Sequence, residues 1–505
     1  MSPVELTVLA VVVGALIASV IAAVRADRKP ISGDGAGDLM DVDLFDVEFT
    51  DPREPRIVHA FEIALLVGLL GYVLFDRAFA WVHVPSAPAF VGELLILFGV
   101  LAMLSSRTSL VPALRRSPPL QLLVVYMAWG AALLVFLGTR YGLDAVRDSA
   151  LWYYGIAAIF VAFLILSDPR RLGRWSEWFA RAIPAILVWF PVAILIRSVV
   201  PADSLLVPDS EISVFNHRTG NIAVVATIII GYLWMVDAEH GRFSRRQRTG
   251  LTVLAAGTLF IAGFQNRGGL VAGILALALM LVFLRRRRSE VVLVIGGLAV
   301  TAVVVLLVSG LSVSLGGGRE ISAEQLIDNV VSTVRPSEGD SRQTSTTQWR
   351  LDIWKQVLDD VTNERPITGF GPGPDLGARY DISGTPEAPL RNPHNSHVGI
   401  LARMGWAGIG LWVVLWLTWT LQLLNHRAWL DARNRSRERG FSGWLIVSAA
   451  AILVNAIFDP TLEGPQVAML LWFLFGLGAV LPVLHQRRIM PAIFRRQELD
   501  PATIG

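Results

Sequence analysis

Apolar runs of about 17–25 residues recur along this chain, each long enough to cross a bilayer core of about 30 Å as a helix. They fall at roughly 4–24, 57–76, 88–104, 119–138, 149–167, 180–200, 221–237, 249–265, 268–284, 290–311, 397–424, 441–458 and 466–484. A backbone in lipid must satisfy its own hydrogen bonds, so such runs leave few solutions other than helices. Composition agrees: 53% of residues are hydrophobic and only 17% charged, against about 25% charged in soluble domains. The predicted fold is all-α, a polytopic transmembrane bundle. It has about 13 spans. A pI near 9.4 is no nucleic-acid signal here, because the arginines lie at helix ends. The absence of cysteine excludes disulfides, thiolate catalysis and zinc–thiolate sites.

Charge sets an orientation. No positive charge precedes the first run, whereas Arg25, Arg28 and Lys29 follow it. This favours an uncleaved anchor with its N-terminus outside. Arginine clusters at 115–116, 170–174, 242–248, 285–288, 427–439 and 487–496 occupy alternate loops, which the positive-inside rule makes cytoplasmic. The chain then divides into an anchor helix and acidic cytoplasmic linker (1–56), transmembrane helices 2–10 (57–311), a large external loop (312–396), helices 11–13 (397–484) and a basic cytoplasmic tail (485–505). The spacing of the linker's acidic residues does not fit a calcium loop.

The loop 312–396 is long enough to need a function. Its first part, 316–347, is rich in Gly, Ser and Thr. Leu351, Trp354, Leu358 and Val361 then recur at helical spacing and predict an amphipathic helix stopped by Pro366. Gly369-Phe-Gly-Pro-Gly-Pro predicts a turn that brings backbone close to a neighbour, and a possible hinge. The loop exits through Arg391-Asn-Pro-His-Asn-Ser-His, where Asn395 or Ser396 can cap the next helix. His394 there sits at a membrane–water boundary, where an imidazole can titrate near neutral pH. On the same side lie Arg218, Arg267 in Asn-Arg-Gly-Gly, Arg350, Arg391 and Arg403. Planar guanidinium groups suit phosphate oxygens. His394 and His397 form an HxxH pair. Zinc needs three protein ligands, and spacing marks no third, although Asp375, Asp381 and Glu387 are near. No metal and no cofactor are expected. Glu62 and Glu93 are assigned no role.

Three features occur in order: Asn266-Arg-Gly-Gly at the outer end of a span; Arg350-Leu-Asp-Ile-Trp354 with a later Gly-Phe-Gly-Pro-Gly; and His394-Asn-Ser-His-Val-Gly-Ile-Leu ahead of Gly405. This set resembles the O-antigen ligase and O-antigen polymerase superfamily of GT-C-type membrane glycosyltransferases, over roughly residues 57–484. The sequence departs from the usual pattern at Asn266, often serine, at Val398 and Gly399, and at Arg403, where an acidic residue is frequent; against the family, the first span and the acidic linker look like additions to a roughly 12-span core, the first span being an extra N-terminal helix.

The resemblance implies a glycan donor on undecaprenyl diphosphate, a glycan or lipid acceptor, and action at the outer face of the cytoplasmic (inner) membrane. It carries a donor-diphosphate role to Arg267 and Arg350 and a catalytic role to His394. Arg218, Asn395, Arg391, Arg403 and Trp354 are the possible supporting residues. A base against the acceptor hydroxyl would aid an inverting displacement, and arginines would replace a metal's charge. Arg391 and Arg403 are expected to lower the pKa of His394, and His397 to tolerate replacement better. A ligase-type transfer is preferred. A polymerase on the same donor is the alternative, and a lipid or polysaccharide transporter is the alternative of another class.

Overall fold

The computed structural model describes residues 55–486 apart from 85–88, 107, 200–204, 209, 285–286, 310–312, 315–319, 322–340, 383–390 and 434. The anchor helix at 4–24, the acidic linker, most of the Gly/Ser/Thr-rich segment and nearly all of the basic tail lie outside these residues.

The described residues are mostly helical, with one two-residue antiparallel pair, β1 (Val313–Ser314) with β2 (Glu320–Ile321), and two isolated bridges, His83 with Phe90 and Leu206 with Ser213. The main helices are α1 (Arg56–Ala80), α2 (Val91–Ser105), α3 (Pro118–Leu133, extended by a π turn), α4 (Leu143–Tyr153), α5 (Ile156–Ser167), α6 (Arg171–Val199), α7 (Thr219–Tyr232, also extended by a π turn), α8 (Arg245–Gln265), α9 (Arg267–Phe283), α10 (Arg288–Ser309), α11 (Ser341–Glu364), α12 (Leu376–Arg379), α13 (Ser396–Asp431), α14 (Ser436–Phe458) and α15 (Pro465–Gln486).

A helix lies at each apolar run predicted between 57 and 484. Among the described residues, seven helices are long and apolar enough to cross a membrane alone, or eight if the bent pair α4–α5 is one span. The expected thirteen are therefore not all confirmed. Length is one reason: at 1.5 Å per residue, the 15-residue α2 reaches only about 22 Å. α8 has a different reason, since Arg245, Arg246 and Arg248 occupy its first turn.

Packing sorts the helices. α7, α14 and α15 form the centre, and α7 is buried along its whole length. α1, α3 and α6 turn exposed Val67, Val135, Phe136, Val188 and Leu195 outward, as helices facing lipid would. Glycine sets the closest approach. A Cβ on Gly268 would stand 2.4 Å from Phe458 Cβ, and one on Gly269 would stand 2.7 Å from Gly220 Cα. The Asn-Arg-Gly-Gly motif thus lets the start of α9 touch both α7 and α14. Asn266 caps α9 by accepting from the Gly269 amide at 2.9 Å.

The amphipathic helix predicted in the loop is α11. Leu351, Trp354 and Val361 are buried, joined by Ile353 and Val357, against Val398, Leu401 and Ala402 of α13 and Ile457 of α14. Leu358 is only partly buried there. This second apolar cluster seats the loop on the bundle beside the ends of α13 and α14.

Candidate functional site

The loop is fastened first by backbone. α13 breaks at Gly405, whose φ is 66°, and the glycine turn docks into the break. Phe370 N donates to Ala402 O at 2.8 Å, and Trp406 N to Pro366 O at 2.7 Å. A Cβ on Gly405 would stand 2.3 Å from Ile367 O, and one on Gly369 would stand 2.5 Å from Ala402 O. The turn is held between helices here rather than free to swing. Gly405→Ala is expected to destabilise the fold by about 1–3 kcal/mol from its positive φ alone, before the clash is counted. A thermal unfolding curve in detergent matching the parent would refute this.

Charges fasten the same turn. Asp148 of α4 accepts from the Gly373 amide at 2.9 Å and pairs with Arg403 at 2.9 Å. Arg391 stands 3.4 Å from Asp144, 3.6 Å from Asp148 and 3.5 Å from Asp375, and donates to Gly373 O at 3.0 Å. Asp375 caps α12. Arg391 and Arg403 therefore act as struts between α4, the glycine turn and α13. Trp354 is a further tie, its indole donating to Pro393 O at 2.7 Å.

His394 follows at once, in a left-handed conformation with φ 54°. Its amide donates to Asn392 Oδ1 at 3.1 Å, its ring lies 6.0 Å from that of Trp349, and Asn395 caps α13 through the amides of His397 and Val398. Burial, and then the charges of Arg350 and Arg218, push its pKa down to about 4. The direction matches the sequence expectation. The arginines responsible differ, because the charges of Arg391 and Arg403 are taken up by aspartates.

His397 is structural. Its Nε2 lies 2.9 Å from Leu453 O, and its Nδ1 accepts from the Trp412 indole at 3.2 Å. Nε2 therefore carries the proton. Both ring nitrogens are engaged between α13 and α14, so easy replacement is not what this environment predicts. Among the described residues no group of His, Asp or Glu side chains could hold a metal ion.

The remaining residues meet at the end of α14. Arg350 donates to Phe458 O at 3.3 Å, Arg218 pairs with Asp459 at 3.3 Å, and Ser396 Oγ donates to Asp459 O at 3.3 Å. Arg267 begins α9, whose Gly268 backs onto Phe458. A cavity of about 1080 Å³ opens beside this junction, and His394, Arg218, Asp459 and Glu463 help to line it. Gln265 and Asn266 line it too, whereas Arg267 and Arg350 do not. Burial raises the pKa of Asp459 against the pull of Arg218, and it pushes Glu463 up to about 8.

Sequence reasoning missed Asp459 and Glu463, and also Arg77, Arg147 and Arg197, which line the cavity as well. The signal was present for the arginines. They sit at the ends of spans opposite the arginine-rich loops, as Arg218 does. The short segment 459–464 carried no motif.

Residues 250–413 match the family model described as O-antigen ligase. This stretch is similar to the O-antigen ligase domain. The match places this part of the chain, with Arg267, Arg350 and His394, in the O-antigen ligase superfamily, and Arg218 and the 459–464 turn complete the junction from outside it. No curated protein matches the chain. The similarity to O-antigen ligases thus covers residues 250–413, within a chain that has seven helices among its described residues long and apolar enough to cross a membrane.

Proposed function

We propose that this protein transfers a glycan from a polyprenyl (undecaprenyl) diphosphate donor to an acceptor hydroxyl at the outer face of the cytoplasmic membrane. The observation that carries the reading is the cavity beside the Phe458–Asp459 turn, where a neutral imidazole stands among arginines. His394 takes the proton of the acceptor hydroxyl as that oxygen attacks the anomeric carbon. Arg267, Arg350 and Arg218 stabilise the charge that develops on the departing diphosphate, in place of a metal ion. Direct displacement inverts the anomeric centre. Arg391, Arg403, Asn395 and Trp354 hold the His394 segment in place.

Deleting the gene tests this. A ligase leaves full-length lipid-linked glycan to accumulate, whereas accumulation of single repeats would favour a polymerase on the same donor. An unchanged lipid-linked pool would defeat both. The arginines offer a sharper check. Arg267→Ala and Arg350→Ala are expected to abolish transfer in a folded, inserted protein, and lysine to rescue poorly because it lacks the planar fork. Full activity in both lysine variants would sink the clamp.

Sidedness follows from arginine bias and can be read in a chain without cysteine. An impermeant thiol reagent added to intact cells is expected to label Asn363→Cys and to spare Ser289→Cys. The reverse pattern would invert the topology.

A further inference from the structure

His394 is held at a positive φ of 54°, a conformation that a residue with a Cβ keeps only where its surroundings over-determine it. After it, Asn395 caps α13; before it, the Trp354 indole fixes Pro393 O. Asn392 supplies a further grip, its Oδ1 accepting from the His394 amide at 3.1 Å. The other end of the Asn392 amide is a donor, and it reaches the carboxyl of Glu463. Asn392 and Glu463 both line the cavity with His394.

Glu463 is itself firmly placed. It ends the turn between α14 and α15, and that turn is tied to the first residue of α13. Ser396 Oγ donates to Asp459 O at 3.3 Å and accepts from the Leu462 amide at 3.2 Å. The Glu463 amide donates to Pro460 O at 3.3 Å. Its Oε1 lies over Gly399, where a Cβ would stand 2.9 Å away. The bare backbone at 399 therefore gives the carboxyl its seat. Arg403 of α13, Asp148 of α4 and Arg218 before α7 face it. Arg403 is engaged by Asp148 at 2.9 Å, and among the described residues Glu463 has no ion pair. Burial outweighs the pull of the arginines and pushes its pKa up to about 8, so the carboxyl is mostly protonated at pH 7. A protonated carboxyl both donates and accepts, as the amide of glutamine does.

We propose that Glu463 is a positioning residue for His394: it fixes the side chain of Asn392, which fixes the backbone that carries the imidazole. The proposal rests on the reading of His394 as the base. A displacement of about 1 Å at a reacting group can cost about 10²-fold in rate, so a link through one intervening side chain is enough to matter. The link contains none of the arginines assigned to the diphosphate, so its loss should spare donor binding.

The test adds the purified full chain to membranes of the deletion strain and follows consumption of their accumulated lipid-linked glycan at pH 7. Glu463→Ala is expected to lower kcat by about 10–100-fold and to leave KM within about threefold of the parent. Glu463→Gln should recover most of that loss, because it matches the protonated acid in shape and in hydrogen bonding. Gly399→Ala should also be slow, since its methyl displaces the carboxyl without altering its charge. That variant is not expected to unfold, because alanine is favoured over glycine inside a helix. In a His394→Ala background, Glu463→Ala should cost no more than about twofold further, since residues that act as a unit are not additive. Parent turnover in Glu463→Ala or in Gly399→Ala would overturn the proposal. So would a Glu463→Gln variant as slow as Glu463→Ala, or losses that multiply in the double variant. A slow His394→Ala beside a fast Glu463→Ala would overturn this proposal alone. Full turnover in His394→Ala would overturn the base reading and this proposal with it.

Discussion

Replacing His394 by alanine is expected to lower glycan transfer by about 10²–10⁴-fold, the usual contribution of a positioned general base. The lipid diphosphate should still bind, because the arginines remain. His394→Gln keeps a hydrogen-bonding group but no base, and should be nearly as inactive. The pH profile carries the sign. A base must be neutral to accept a proton, and burial with the charges of Arg350 and Arg218 holds this imidazole's pKa near about 4. Its neutral form therefore predominates down to about pH 5, so the rate should stay level there and fall as pH drops through about 4. An ordinary imidazole would have lost half its activity by about pH 6.5. Arg218→Gln removes one repelling charge and should move the midpoint upward, whatever it does to the maximal rate. A His394→Gln variant with most of its turnover would show that the residue orients the acceptor. A midpoint near 6.5 would show that the imidazole is solvated during turnover.

Glu62→Ala is expected to destabilise the fold by about 3–5 kcal/mol, because it leaves a buried guanidinium without its partner. Arg171 and Glu62 pair at 2.8 Å with side chains 1% exposed each. Glu62 Oε1 also accepts from the Trp175 indole at 2.7 Å, and Arg171 donates to Leu164 O at 2.8 Å. This pair locks α1 to α6 at the end of the bundle away from the cavity. Arg171→Ala should cost less, because Arg174 at 3.5 Å and the Trp175 indole still face the Glu62 carboxylate. A Glu62→Leu/Arg171→Met double variant should recover much of the loss, since neither charge is then stranded. Unfolding midpoints of the three proteins in one detergent decide it. Singles within about 1 kcal/mol of the parent would mean that water reaches the pair. Glu62 had drawn no role from its position in a span, because nothing local in sequence announced its partner 109 residues away.

The helices were legible because hydrocarbon removes the alternatives. An apolar run of this length can satisfy its backbone only within itself, so each one between 57 and 484 became a helix without reference to its neighbours. The caps were legible for the same local reason: Asn266 and Asn395 reach amides two or three residues on. The apolar face of α11 needed only its own periodicity. Its exact membership did not follow, since Ile353 and Val357 are buried by contact with α12, α13 and α14.

Charge pairing was not legible, and the site depends on it. Arg218, Arg391 and Arg403 look alike in sequence, each at the same end of a span. Packing gives Arg403 to Asp148 and Arg391 to three aspartates, and it leaves Arg77 and Arg147 facing the cavity. Asp459 meets Arg218 across 241 residues. The sequence by itself determined which segments are helical and that His394 lies where the loop returns to the bundle, because those depend on nearest neighbours and on the solvent. Only the tertiary structure decided which arginines pair with aspartates and how far the imidazole's pKa falls, because burial and Coulomb energy depend on which segments pack together.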